Sequence, residues 1–181
     1  MITKVYKKIK KCRICNSTNL KNIINLNNQY IQGSFLKKNN PRPYLKKIPL
    51  KLLLCLNCSL VQLMHTTNKN ILYKNYWYES GINLTMRNHL KLLVSDVVKM
   101  LATKKEKIKV LDIGCNDGTL LKFYDKNYEK FGIDPSQIVK KINNKSINII
   151  NDFFPLKKTN NKIKGKKLKI IILKNLNILS I

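Results

Sequence analysis

The chain has 181 residues, 36 Lys+Arg against 9 Asp+Glu, and a formal charge of +27. That length holds one full domain, or a partial domain plus a small module. With 44% hydrophobic residues, the composition argues against wholesale disorder, and it is not collagen-like, coiled-coil or disulfide-rich.

The charge says less than its size suggests. Lys, Asn and Ile, all with A/T-rich codons, make up 80 of the 181 residues. There are only three Arg (Arg13, Arg42 and Arg87), whereas base readers rely on Arg forks. A solvated Lys surface is therefore the first reading, ahead of a nucleic-acid face. The charge is unevenly spread: residues 1–78 hold 15 Lys/Arg and no acid, a bias able to steer an anionic substrate toward the N-terminal part.

In chain order, Met1–Lys11 is basic but no apolar run follows it, unlike a signal peptide. Two cysteine pairs come next with identical spacing, Cys12-x-x-Cys15 and Cys55-x-x-Cys58. Two such turns complete a closed four-thiolate zinc site, which leaves no open position for activating water. Flanking Lys11 and Arg13 would help ionise the thiols. A redox pair or a coincidence of spacing are the alternatives. The gap of 39 residues between the pairs exceeds a simple ribbon's ~15–20, so it must hold an insert, such as a hairpin around Pro41-Arg42-Pro43. The apolar run Pro49–Met64 surrounds the second pair. It is shorter than the ~20 residues of a bilayer span and reads as two short strands about a turn. Residues 1–64 thus read as a zinc-binding module, with no membrane partner and a cytoplasmic location.

Residues 65–105 read as a connector and helix. Tyr73, Tyr76, Trp77 and Tyr78 cluster within six positions, as packing between modules or as a wall of a ligand pocket. Over 84–101, Leu90, Leu93, Val94, Val97, Val98 and Leu101 recur at helical spacing, with Thr85 as a possible N-cap and His89 on the polar face.

Residues 106–181 alternate strand and helix: strands at 108–114, 130–134, 147–151 and 168–173, and a helix at Thr119–Tyr124. That alternation predicts an α/β fold with a parallel, doubly wound sheet. The most informative string is Val110-Leu-Asp-Ile-Gly-Cys-Asn-Asp-Gly118. Asp112 ends a strand, Gly114 lets the backbone approach a ligand, and Gly118 lets the next helix pack closely. Cys115 reads as a small loop residue. Asp134 ends the second strand, where ribose hydroxyls are held in such folds. Asp152 ends the third and precedes Phe153 and Phe154, a pairing that suits an adenine ring. The turn is not the G-x-G-x-x-G of dinucleotide sites. A pyrophosphate would be repelled by Asp112, whereas the ammonium and sulfonium of S-adenosylmethionine would be attracted to it.

The chain resembles the class I S-adenosylmethionine-dependent methyltransferases. Within them it is similar to the sugar C-methyltransferase family that has an N-terminal zinc-binding domain and acts on nucleotide-linked keto-deoxysugars. The segments that carry the resemblance are Cys12–Cys15, Cys55–Leu63, Tyr76–Gly81 with Met86 and His89, and Val110–Gly118, extended by Gly132–Ser136 and Asp152–Phe154. It implies a Rossmann-like sheet, zinc on Cys12, Cys15, Cys55 and Cys58, and deoxysugar biosynthesis as the role. Asp112, Gly114, Asn116 and Gly118 would line the methionine end of the cofactor. Asp134 would hold its ribose, and Asp152 and Phe153 would lie near the adenine. Tyr76 and Tyr78 would face the active site. In that family a base removes the proton beside a sugar ketone, and the enolate carbon takes the methyl group.

The acid–histidine pair that supplies the family's base has no counterpart here. In residues 157–181, 22 of 25 are Lys, Ile, Asn or Leu, the composition of A/T-rich DNA read out of frame. The expectation is a truncated or frameshifted fragment with a partial sheet, whose apolar edge should aggregate or need a complementing chain. A zinc-dependent nucleic-acid-binding module and a non-enzymatic scaffold are the alternatives; both leave the Asp112–Gly118 turn without a role.

Overall fold

The computed structural model describes residues 5–31, 47–74, 76–101, 108–155 and 170–173. It divides into two compact units, with the boundary between Leu72 and Tyr73.

In the first unit, β1 (Tyr6–Lys8) pairs antiparallel with β5 (His65–Thr67). The long strands β2 (Leu20–Gln29) and β3 (Ile48–Cys55) form an antiparallel ladder, and β4 (Val61–Leu63) adds to the other edge of β3. The predicted insert between the cysteine pairs is therefore a pair of strands. Its turn around Pro41–Pro43 lies outside the described residues. The two strands expected around the second cysteine pair are β3 and β4. Among the described residues the apolar core of this unit is slight: Cys12, Leu53 and Cys55 are its buried hydrophobic side chains. So small a core cannot stabilise a domain without a covalent or metal staple. A short helix, α1 (Lys69–Tyr73), follows.

The second unit begins with α2 (Leu84–Met100). Its N-cap is Asn83 and not Thr85: the Asn83 side chain accepts from the main-chain N–H groups of Thr85 and Met86. An Asn side chain satisfies two of the four orphan donors of the first turn. Four strands then form one parallel sheet in the order β8-β7-β6-β9, from β6 (Ile108–Ile113), β7 (Tyr128–Ile133), β8 (Ile147–Ile150) and β9 (Ile170–Leu173). The short helix α3 (Thr119–Lys122) follows β6, and a 3-10 turn, Gln137–Lys141, follows β7. Most of the 157–181 tail lies outside the described residues, but Ile170–Leu173 within it pairs with β6 in parallel register.

Side-chain alternation along the strands separates two cores. Ile108, Val110, Ile147 and Ile170 face Leu90 and Val94 of α2 and Leu120 and Leu121 of α3. Leu111, Ile113, Phe131, Ile133 and Ile150 form the second cluster. Each fully buried Leu, Ile, Val or Phe adds about 1.5–3 kcal/mol, so this unit is held by its apolar layers. His89 is exposed on the polar face of α2, as its spacing predicts.

Gly132 sits where the first core is tightest. A Cβ there would meet Cys115 Sγ at 2.8 Å, Ile149 Cδ1 at 2.9 Å and Leu121 Cδ1 at 3.0 Å. Cys115 is thus a packing residue, fully buried against β7. Gly132→Ala is expected to lower unfolding stability by about 1–3 kcal/mol through overpacking, read as a lower urea midpoint at unchanged slope.

Candidate functional site

The two cysteine pairs build one cluster in the first unit. Asn16 N–H donates to Cys12 O at 3.1 Å and Cys12 N–H to Ser17 O at 2.8 Å. The second pair repeats the pattern: Ser59 N–H donates to Cys55 O at 2.8 Å, and Cys55 N–H to Leu60 O at 2.9 Å. In each turn the residue after the second cysteine is left-handed, with φ 59° at both Asn16 and Ser59. The two turns bring Cys12 Sγ to 3.7 Å from Cys58 Sγ, and Cys15 Sγ to 3.5 Å from Cys55 Sγ. All four sulfurs lie within 4.8 Å of one another. A zinc–sulfur bond of about 2.3 Å implies tetrahedral sulfur–sulfur edges of ~3.8 Å, so the donor set fits a tetrahedral ion.

The thiols are electrostatically uneven. The main-chain N–H of Cys15 favours the Cys12 thiolate and brings its pKa down to about 6. The Ser17 main-chain N–H lowers Cys15. The Leu60 N–H favours the Cys58 thiolate, but Cys15, burial, Cys55 and Cys12 together outweigh it and push Cys58 up to about 12. Four sulfurs this close cannot all be anionic without a cation, and a divalent metal removes the conflict. Arg13, expected to help ionise the thiols, also ties the turn to the sheet. Its guanidinium donates to Leu63 O at 2.6 Å, Thr66 Oγ1 at 2.9 Å and Gln62 Oε1 at 3.2 Å, and its main-chain N–H also donates to Gln62 Oε1. Gln62, buried beside the cluster, lies in the Cys55–Leu63 segment, but its spacing gives no sign of this contact.

The second candidate site follows from strand order. β6 lies between β7 and β9, so the chain reverses its direction of winding there, and ligands of open α/β sheets bind at the C-terminal strand ends beside such a reversal. The turn after β6 occupies that position, with φ of 77° at Gly114, 55° at Asn116 and 72° at Gly118. A Cβ on Gly118 would also press on Ile142 at 3.1 Å. Gly114 N–H donates to Ile133 O at 2.8 Å, which fixes the turn to the end of β7.

Asp134, one residue beyond β7, is nearly buried. Its Oδ2 accepts from Asn116 N–H at 2.9 Å and its Oδ1 from Ser136 N–H at 2.8 Å. Each oxygen keeps a lone pair for another donor. Beside it, Ser136 Oγ is buried and has no partner among the described residues. Asn151 Nδ2 donates to Asp134 O at 2.9 Å and Ser136 O at 2.8 Å, holding this loop against the end of β8. A rigid carboxylate with spare lone pairs beside an orphaned hydroxyl fits a vicinal diol such as a ribose.

The other predicted residues fall as follows. Asp112 is fully buried, near enough to Tyr124 to add to the rise of that phenol's pKa to about 12, whose largest cause is burial. Asp152 accepts its neighbour's N–H from Phe153 at 2.9 Å, and the Phe153 ring meets Tyr73 edge-on at 6.4 Å. Tyr78 is half-buried, and Tyr76 and Trp77 are exposed. The Tyr76 phenol is raised first by burial and then by Tyr78, Asp134 and Tyr73, so the aromatic connector and the Asp134 carboxylate share one neighbourhood. The Asn116 side chain is spent on main chain: Oδ1 accepts from Ser80 N–H and Nδ2 donates to Tyr78 O. Spacing offers no hint of that, nor of Asn151 or Ser136.

The chain as purified is expected to carry one zinc per molecule by elemental analysis. Cys15→Ser and Cys58→Ser should each lose it, and stripping the metal should abolish the β2–β3 sheet signal in circular dichroism, since a structural zinc site supplies folding energy outright.

Residues 12–73 match a family model described as "Putative zinc binding domain", and residues 86–172 match one described as "Methyltransferase domain". No curated protein matches the chain. Among the described residues no helix is long and apolar enough to cross a membrane. The parallel Rossmann-like sheet, the four-cysteine cluster and the two family matches together support a class I methyltransferase, and its methyltransferase domain implies use of S-adenosylmethionine.

Proposed function

We propose that the chain binds S-adenosylmethionine at the C-terminal ends of β6, β7 and β8, and that it serves methylation of carbon in nucleotide-linked keto-deoxysugars. One observation carries the cofactor half of this reading: the Asp134 carboxylate is fixed by two main-chain donors at the strand-order reversal and retains spare acceptor capacity. Asp134 holds the ribose hydroxyls. Asp112 adds negative potential beneath the turn for a cationic methionine moiety. Asp152 and Phe153 border the adenine. When bound, S-adenosylmethionine supplies an electrophilic methyl group. The chain's own part is to hold its partners in near-attack geometry, which is worth several kcal/mol of barrier.

The sugar substrate rests on the resemblance of Tyr76–Gly81 and of the two cysteine pairs. The acid-free, Lys-rich N-terminal part suits the diphosphate of a nucleotide-linked sugar. The four cysteines hold a structural zinc, which suits a reducing, cytoplasmic setting where thiols stay unpaired. A basic nucleic-acid-binding module is not favoured, because it gives the acids at the strand ends no role.

Calorimetric titration with S-adenosylhomocysteine tests the cofactor half. Binding is expected in the wild type, and Asp134→Asn should weaken it at least ~10-fold, equivalent to ~1.4 kcal/mol. No heat at millimolar ligand in a zinc-loaded, folded chain would sink the reading.

A further inference from the structure

The segment Tyr76–Gly81 lies against the glycine turn, and the turn's own side chains hold it there. Asn116, nearly buried, receives Ser80 N–H on Oδ1 at 2.9 Å and donates from Nδ2 to Tyr78 O at 2.8 Å. Asp117 receives Gly81 N–H on Oδ2 at 2.7 Å, while its Oδ1 caps α3 through Thr119 N–H at 3.0 Å. At Gly81 a Cβ would stand 2.6 Å from Thr119 Oγ1 and 2.7 Å from Asp117 Oδ2, so a larger residue would have to push these side chains aside. Glu79, between these anchors, pairs with Lys141. The strap is thus bound at three successive main-chain groups, and Ser80 is wholly buried in the process.

Asn116 also faces the other way. Its main-chain N–H holds Asp134 Oδ2. One residue therefore joins the strap that carries Tyr76 and Tyr78 to the carboxylate assigned to the ribose, and Tyr76 already feels that carboxylate's charge. An Asn amide oxygen has two lone pairs and its nitrogen two N–H groups; here one of each grips the strap, so both ends of the side chain are oriented by it.

We propose that Asn116 and Asp117 are positioning residues that latch the Tyr76–Gly81 strap to the glycine turn, so that the tyrosines and Asp134 meet a nucleoside-bearing ligand as one preformed wall. This rests on the S-adenosylmethionine reading above and gives Asn116 a role other than touching the cofactor.

The test uses the full, zinc-loaded chain. Hydrogen exchange at the Ser80 and Gly81 amides is measured in the ligand-free wild type, in Asn116→Gly and in Asn116→Asp. Gly and Asp both tolerate the φ of 55° at this position, and Asp keeps the acceptor for Ser80. Exchange at Ser80 should rise at least ~10-fold in Asn116→Gly and return toward wild type in Asn116→Asp. Affinity for S-adenosylhomocysteine is then compared in Tyr76→Ala, Asn116→Gly and the double variant. Tyr76→Ala should weaken binding ~5-fold in the wild-type background and have no further effect in Asn116→Gly, the non-additivity expected of residues acting as a unit. Unchanged Ser80 exchange, or two effects that simply multiply, would overturn the latch. If the ligand does not bind the wild type, the cofactor reading fails, and the exchange result alone decides the latch. If Asn116→Gly does not fold, Asp117→Ser replaces it. That variant keeps a cap for Thr119 and gives up the bond to Gly81, so unchanged Gly81 exchange there overturns the proposal.

Discussion

Between β6 and α3 the backbone must reverse within five residues, and it does so by placing alternate residues, Gly114, Asn116 and Gly118, at positive φ. Much of the candidate site follows from that constraint. The left-handed positions turn the N–H groups of Gly114, Cys115 and Asn116 toward the end of β7, where two of them bond Ile133 O and the third bonds Asp134. With its amide fixed, Asn116 swings its side chain away from β7 and onto the Tyr78–Ser80 backbone. Asn is among the non-glycine residues that adopt this conformation at smallest cost. A β-branched residue would not adopt it, and both the Asp134 carboxylate and the aromatic strap would lose their anchor.

The zinc module is built on a different balance. The second unit is held by two apolar layers, whereas the described part of the first unit buries little beyond Leu53 and two cysteines. Among the described residues of this unit, the cluster ties the two cysteine turns together. The cysteine turns repeat one another bond for bond, so the four sulfurs arrive as two matched pairs. Arg13 and Gln62 then fix the first turn to the strands that carry the second. The opposed pKa shifts of Cys12 and Cys58 are two sides of the same crowding. Hydrogen bonds from the main chain stabilise the first thiolate, and its presence among close neighbours makes the last one costly.

How far the sequence was legible depended on whether a feature was periodic or composed of common residues. The four parallel strands, α2 and the cysteine pairs could be read, because burial alternation, helical spacing and Cys-x-x-Cys each leave a repeating signature. Four strand positions came within two residues of their observed bounds. The N-cap was displaced from Thr85 to Asn83, and the reason is general to this chain. With 24 Asn residues, Asn83 looks like many others, although its capping bonds to Thr85 and Met86 are local. The clasping bonds of Asn116, which the glycine turn had already marked out, and of Asn151 are tertiary, between residues up to 38 positions apart, and no local pattern records them. Gln62 and Ser136 stood inside segments that carry the resemblance, but their contacts were hidden for the same reason. Gly132 differed: it stood inside a recognised segment, but its need for an absent Cβ only appears once Cys115, Leu121 and Ile149 close around it.

The Asp117-Gly118 step carries a consequence for chemical ageing. In unfolded chains an Asp followed by Gly is prone to cyclise: the glycine nitrogen attacks the aspartate side-chain carboxyl with loss of water, and the succinimide ring later takes up water and opens to isoaspartate or aspartate. Here both oxygens of Asp117 are occupied, by Gly81 and Thr119. The Gly118 nitrogen is itself engaged with Cys115 O at 2.9 Å. Cyclisation would have to break all three bonds at once in a nearly buried turn. The native fold therefore shields a labile peptide that every unfolding event exposes, and slow isomerisation at this step becomes a chemical record of how often the turn has opened.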